Sequence, residues 1–361
     1  MKLSDFNYNL PKNLIAQKPI SPRDHSRLLV LNRENDKIIH DRFYNLENYL
    51  EKGDIIVLNN SRVIPARIYG RKETGGRLEL LLSRPKNREE GIWECILKIK
   101  NPKIGQKLQF KENLSGKIIK NLGEGIFEIK FNTTNRGLRR ILEKIGDTPL
   151  PPYVKAQEHK NIKAKKEIRN KYQTVYASDK KEGSIACPTA GLHFTKELLS
   201  KLRKKGIDFE YITLHVGLGT FKAVKTKNIK KHHMHAEYAE MDKKIIQKLI
   251  KAKKKRKRII ACGTTSIRTL ETVLPQYLKE EKTIKSFSGN ISTFIYPGYK
   301  FKVIDGIITN FHLPKTTLMM LIAAFISKDE KRGIKILKKA YQEAIKKKYR
   351  FYSFGDAMLI R

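Results

Sequence analysis

Cysteine is scarce. Cys95, Cys187 and Cys262 are the only three in 361 residues, too few and too scattered for a disulfide framework. No CxxC pair or histidine-rich ligand spacing accompanies them, which argues against structural zinc. An odd, unpatterned set suits a reducing cytoplasm. No apolar run approaches the roughly 20 residues of a membrane span. The N-terminus, MKLSDFNYNLPKNLIAQ, lacks a long apolar core and a cleavage signal, so a soluble cytoplasmic chain without a membrane partner is expected. There is no GxxxxGK followed by Ser or Thr, which excludes a P-loop, and no GxGxxG after a strand, which argues against ordinary dinucleotide binding. No internal repeat is present. Acidic residues are also few: 36 Asp and Glu stand against 76 Lys and Arg, for a formal net charge of +40. That excess points to a polyanionic partner, most simply nucleic acid. Lysines spread over nearly every exposed helix face, as in Lys346-Lys347-Lys348, also arise as a compositional habit of a whole proteome.

What is present centres on Ile185–Val224. Two loops of small residues, each with one histidine, bracket an amphipathic helix and a strand. The first runs Pro188 to Thr195 and contains Thr189, Gly191 and His193. The second runs His215 to Phe221 and contains Gly217, Gly219 and Thr220. Between them Leu198, Leu199 and Leu202 recur at helical spacing, and Ile207–Leu214 reads as a strand. Loops at the ends of such elements are where α/β proteins bind ligands.

Elsewhere, Ile55–Leu58 and Arg258–Cys262 are apolar runs typical of strands buried on both faces. Between residues 62 and 151 the character changes to short strand-like runs split by turn residues, as in a small barrel. The strand before this stretch needs partners that come only after residue 183. The expected fold is therefore an α/β class with a mixed-sheet α+β main domain, residues 1–61 and 152–361, and an inserted small all-β barrel, residues 62–151. The N-terminal residues read as an extended arm, residues 153–182 as a lysine-rich helix or loop, and Phe294–Tyr296 as a strand.

Several motifs carry chemistry. Cys262-Gly263-Thr264-Thr265-Ser266-Ile267-Arg268 is a strand, a small-residue turn and a helix start. A helix N-terminus offers free N–H groups and partial positive charge to a carboxylate or phosphate, and Arg268 can clamp a carboxylate. The structural alternative is a well-capped turn. His193 and His215 each sit beside glycines, and imidazole moves protons near neutral pH. His232, His233 and His235 with Glu237 raise a metal alternative that lacks a known ligand geometry. Tyr296, Asn310 and His312, in turns around Pro297 and Pro314, offer aromatic and amide groups to a base.

Together the motifs are specific. RDHSRLLVL, NNSRVIPARIYGRK, PTAGLHFT, TLHVGLGTF, MHAEYAEM, GTTSIRTLE, FIYPGYKFKVIDGIITNFHLPKTTL and YRFYSFGDAM occur in this order. Nearly end to end, the chain resembles the S-adenosylmethionine:tRNA ribosyltransferase-isomerase family of the queuosine pathway. The resemblance implies transfer and isomerisation of the ribosyl part of S-adenosylmethionine (AdoMet) onto 7-aminomethyl-7-deazaguanine at the wobble position of tRNA with a GUN anticodon. Epoxyqueuosine-tRNA, adenine and methionine would be released. It implies AdoMet as co-substrate, no bound prosthetic group, no metal, and a monomer.

Such a reaction needs a base near the carbon that the sulfonium acidifies, a carboxylate clamp, an adenine pocket and a cationic RNA surface. His193 or His215 is expected to move the protons, with Arg268 as the third catalytic candidate. Thr264, Thr265 and Gly263 are expected at the carboxylate or ribose. Asn59, Asn60 and Arg62 are expected along the same edge, and Tyr296, Asn310 and His312 around a base. Ser292-Thr293 stands where the family has an acidic run, Ala223 where proline is common, and Cys187 and Cys262 where small apolar residues are usual. An AdoMet-dependent RNA methyltransferase would explain charge and ligand but calls for a glycine loop that is absent. A non-catalytic RNA-binding protein built on the barrel would leave the paired histidine loops without a purpose.

Overall fold

In the computed structural model the described residues are 1–154, 162–217, 226, 228–232, 234–278 and 283–361. Strands β1 (Arg27–Leu31), β2 (Ile38–Arg42), β3 (Ile55–Asn59) and the two-residue β4 (Arg62–Val63) come first. Strands β5 (Arg67–Lys72), β6 (Arg77–Asn87), β7 (Ile92–Lys98), β8 (Lys107–Phe110), β9 (Ser115–Gly123) and β10 (Ile126–Phe131) follow, then helices α1 (Asn135–Ile145) and α2 (Ile162–Lys171). The chain continues through β11 (Glu182–Ser184), α3 (Lys196–Lys204), β12 (Asp208–His215), β13 (Glu237–Met241), α4 (Lys243–Lys254), β14 (Ile259–Cys262), α5 (Thr264–Val273) and α6 (Pro275–Leu278). It closes with β15 (Phe287–Ile291), β16 (Gly306–Asn310), α7 (Thr317–Ile326), α8 (Glu330–Lys346) and β17 (Ala357–Ile360).

Nine strands form one mixed sheet in the order β15-β13-β12-β3-β14-β16-β17-β1-β2. β12, β3, β14 and β16 run parallel, so their C-terminal ends lie along one edge. The central strands β3, β14, β16 and β17 are buried at every residue, as apolar runs covered on both faces must be. Alternation sorts their side chains. Leu29, Leu31, Ile55 and Val57 pack with α4, α5, α7 and α8 on one face. Leu28, Val30, Ile56 and Leu58 pack with α3 on the other. Helix α7 is apolar all round, and Met319–Ile326 are buried.

Strands β5 to β10 close into a six-stranded barrel in the order β10-β7-β6-β5-β8-β9, with its own core around Trp93, Leu80 and Ile129. Sheet strands precede and follow it, so it is an insertion. A short parallel pair, β4 with β11, ties its exit to its return. The inserted barrel and the mixed sheet match the expected fold class. No helix among the described residues is long and apolar enough to cross a membrane.

Local differences have physical causes. Phe294–Tyr296 is not a strand. The neighbouring β15 takes the edge, although FSGNI is a poor strand former, because its backbone completes the ladder with β13. The N-terminal arm contains short 3-10 turns at Leu3–Phe6 and Lys12–Leu14, and Phe6 is fully buried. The helix expected from Ile267 starts at Thr264, because Gly263 alone makes the turn with φ +84°.

Candidate functional site

A cavity opens at the C-terminal edge of the parallel strands, against Gly263 after β14, Asn310 at the end of β16 and the turn Thr189–His193. Two ten-residue helices begin on its wall. Thr264 and Thr265 open α5, and Thr316 and Thr317 open α7. Thr316 caps α7 by accepting from the Met319 amide at 3.4 Å, whereas Gly263 gives α5 no side-chain cap. Unpaired amides and the positive ends of two helix dipoles therefore converge on one space.

Arg268 lies one turn into α5, deeper than its place beside the GTTS turn suggested, and borders the same cavity. It is 6% exposed. Its Nη1 ion-pairs with the carboxylate of Glu237, itself 4% exposed. Its Nε donates to the Thr293 carbonyl at 3.1 Å. Its Nη2 is buried and has no hydrogen-bond partner among the described residues. Glu237 also accepts from the Gly217 amide at 3.0 Å, which links the loop after β12 to α5. The support from position 293 is a backbone carbonyl, which any residue supplies, so the departure at Ser292-Thr293 does not remove it.

The amide of Asn310 is committed to the protein. Its Oδ1 accepts from Thr189 Oγ1 at 3.1 Å, and its Nδ2 donates to His193 Nε2 at 3.0 Å. His193 Nδ1 in turn meets Ser26 Oγ at 2.8 Å. This chain fixes a neutral imidazole with Nδ1 protonated. Burial, with Arg350 and Arg23 as lesser causes, pushes the His193 pKa down to about 3. His193 does not border the cavity; it sits behind the wall and braces Asn310. His312 does border it. Its Nε2 lies 3.0 Å from Thr309 Oγ1, and burial pushes its pKa down to about 4.

A second cavity lies between the barrel and the sheet. Arg84, Glu94, Leu122 and Ile126 come from the barrel, and His215, Gly217 and Tyr238 from the sheet. Val216, His235 and Glu237 border both cavities. Burial lowers the His215 pKa, and the nearby cations Lys181, Arg88 and Arg139 lower it further against an opposing effect of Glu240.

The first cavity thus gathers Thr189, Gly263, Thr264, Thr265, Arg268, Asn310 and His312, and the second holds His215 and Gly217. Other expected site residues border neither cavity. Asn59 is fully buried and staples β3 to β12 through Leu214, with Thr265 Oγ1 at 3.3 Å. Asn60 accepts from Thr213 Oγ1 at 2.8 Å. Arg62 pairs with Asp179 at 2.9 Å. Gly191 is small because a Cβ there would lie 1.8 Å from the Tyr176 hydroxyl. Tyr296 packs against Phe294, ring centroids 5.1 Å apart, and joins the core of α7 and α8. Gly219 and Thr220 lie outside the described residues. The sequence does not identify Glu237 as the partner of Arg268, although Glu237 stands within MHAEYAEM. Nor does it identify the wall of Tyr153 and Tyr352, ring centroids 4.6 Å apart, whose positions follow only from tertiary packing.

The sequence profile described as Queuosine biosynthesis protein matches residues 3–360. S-adenosylmethionine:tRNA ribosyltransferase-isomerase from Thermotoga petrophila is 47% identical over 361 residues, with all of both chains covered. Its counterpart from Carboxydothermus hydrogenoformans is 46% identical over 371 positions, again with full coverage of both. A crystal structure of S-adenosylmethionine tRNA ribosyltransferase from Thermotoga maritima superposes with a TM-score of 0.54 at 37% identity, covering 99% of this chain and 100% of that one. The chain belongs to the queuosine biosynthesis protein family, that of the S-adenosylmethionine:tRNA ribosyltransferase-isomerases.

Proposed function

We propose that the protein transfers and isomerises the ribosyl moiety of AdoMet onto 7-aminomethyl-7-deazaguanine at the wobble position of GUN-anticodon tRNA. Epoxyqueuosine-tRNA, adenine and methionine are the products. The observation that carries this reading is the first cavity: two helix N-termini and buried Arg268, whose Nη2 has no partner among the described residues, border one space. Such a site suits the carboxylate of methionine. Tyr153 and Tyr352 on the same wall offer aromatic groups to adenine. His215, not His193, is the base in this reading. His193 has both ring nitrogens engaged, whereas His215 Nδ1 is buried without a hydrogen-bond partner among the described residues. His215 is held neutral and can take the proton beside the sulfonium. His193 positions Asn310, and Asn59 positions the start of α5. Residues 62–151 act as the barrel domain, flanking the site from the second cavity.

The test is product analysis. With AdoMet and tRNA bearing the modified base, mass spectrometry of the digested RNA should show the added ribosyl unit, with one adenine and one methionine released per transfer. A methyl group on the RNA would instead assign a methyltransferase.

A further inference from the structure

Beyond His215, the second cavity carries chemistry that the donor site does not use. It lies between two separately cored layers and meets the first cavity along Val216, His235 and Glu237. We propose that it receives the acceptor base, turned out of the RNA stack, so that donor and base meet across this shared wall. The inference rests on the ribosyl-transfer reading and adds where the acceptor binds and what recognises it. An enzyme that works on a base must bring it out of its stack into a pocket.

Three features fit a flat base with a primary ammonium group. First, the rings of His215 and Tyr238 lie within 14° of parallel, with centroids 6.1 Å apart. Tyr238 is 38% exposed, and its hydroxyl is held by Ser288 Oγ at 2.5 Å. A fixed, exposed aromatic face is a stacking platform for a base. Second, His215 Nδ1 is buried without a hydrogen-bond partner among the described residues, beside Gly183, a residue at φ +141° that also borders the cleft. That nitrogen is the proton acceptor proposed above, so a base stacked here lies beside the group that acts on the donor. Third, Arg84 donates twice to Glu94, from Nε at 3.1 Å and Nη2 at 2.9 Å, and both bonds fall on Oε2. Oε1 takes no hydrogen bond among the described residues, and Glu94 borders the cleft, so it is an acceptor for the ammonium of an aminomethyl substituent. Arg88, Arg139 and Lys181 stand near enough to His215 to act on its charge, and they give the RNA backbone a cationic rim.

The experiment measures binding rather than turnover. Anticodon stem-loops carrying either 7-aminomethyl-7-deazaguanine or guanine at the wobble position are titrated by fluorescence anisotropy, and AdoMet by calorimetry. The parent should bind the aminomethyl stem-loop at least tenfold more tightly. Glu94→Gln keeps a bond to Arg84 but loses the charge; it should remove the discrimination and leave guanine stem-loop affinity unchanged. Leu122→Trp fills the cleft from a surface hairpin that is 39% exposed. It should weaken the aminomethyl stem-loop at least tenfold while AdoMet affinity stays at the parent value. No discrimination by the parent, or discrimination that survives both substitutions, overturns the proposal. Absence of ribosyl transfer by a parent that still discriminates would count against the reaction assignment and not against the cleft.

Discussion

The guanidinium of Arg268 and the carboxylate of Glu237 form a buried ion pair joining α5 to β13, and Arg268 Nη2 has no partner within the described structure. Glu237 takes Nη1 and the Thr293 carbonyl takes Nε, which leaves Nη2 as the donor open to a ligand in the cavity that Arg268 borders. Arg268→Lys keeps the charge and loses the fork. A charge-assisted hydrogen bond contributes about 1.5–3 kcal/mol, so AdoMet affinity measured by calorimetry should fall roughly 10- to 150-fold. Removing one partner of a buried pair costs about 3–5 kcal/mol. Glu237→Ala should therefore lower unfolding stability by that order in urea titrations.

His215 ties activity to acid pH. Its pKa is lowered by burial first and by Lys181, Arg88 and Arg139 next. With the neutral form as the proposed base, activity should be lost as pH falls through the folded pKa. The acid limb of kcat/KM should therefore lie below the ordinary histidine value of about 6.5. His215→Ala should reduce kcat by about 10²- to 10⁴-fold, with AdoMet binding retained.

His193 ties stability to pH instead. Its folded pKa is about 3. Above about 6.5 both folded and unfolded forms are neutral and the group contributes nothing. Below that the unfolded chain takes a proton that the folded chain refuses until about pH 3, so stability falls with pH by up to ~1.4 kcal/mol per unit per group. His312, with a folded pKa of about 4, acts the same way over a shorter window. Urea midpoints of the parent should drop between pH 6.5 and 4.5 more steeply than those of His193→Gln. The variant should be weaker at neutral pH by about 1–3 kcal/mol, because Asn310 and Ser26 lose their partner. Equal slopes would remove His193 from the acid response.

These outcomes mark where sequence reasoning reached and where it stopped. Ile55–Leu58 and Arg258–Cys262 announced buried strands because central strands need unbroken apolar runs. The barrel was legible from turn residues at short spacing. Gly263 to Arg268 was legible because strand, glycine and threonines are contiguous. The surroundings of His193 are not legible, because its partners, Ser26 and Asn310, lie 167 and 117 positions away in sequence. Asn59 looked like an exposed strand end, yet its side chain pairs with Leu214, 155 positions away. Glu237 is one glutamate among many until β13 brings it to α5.

Gly191 offers a packing test. A Cβ would lie 1.8 Å from the Tyr176 hydroxyl and 2.9 Å from Thr174 Cγ2. Overpacking of this kind costs about 1–3 kcal/mol. Gly191→Ala should lower Tm, and Tyr176→Phe in the same chain should restore part of the loss.

The central claim is ribosyl transfer, and isotope labelling tests it most directly. AdoMet labelled in the ribosyl group, and separately in the methyl group, is incubated with the protein and tRNA bearing 7-aminomethyl-7-deazaguanine. The account predicts ribosyl label in the RNA and none from the methyl group. Methyl label in the RNA, or no label from either position, would contradict it.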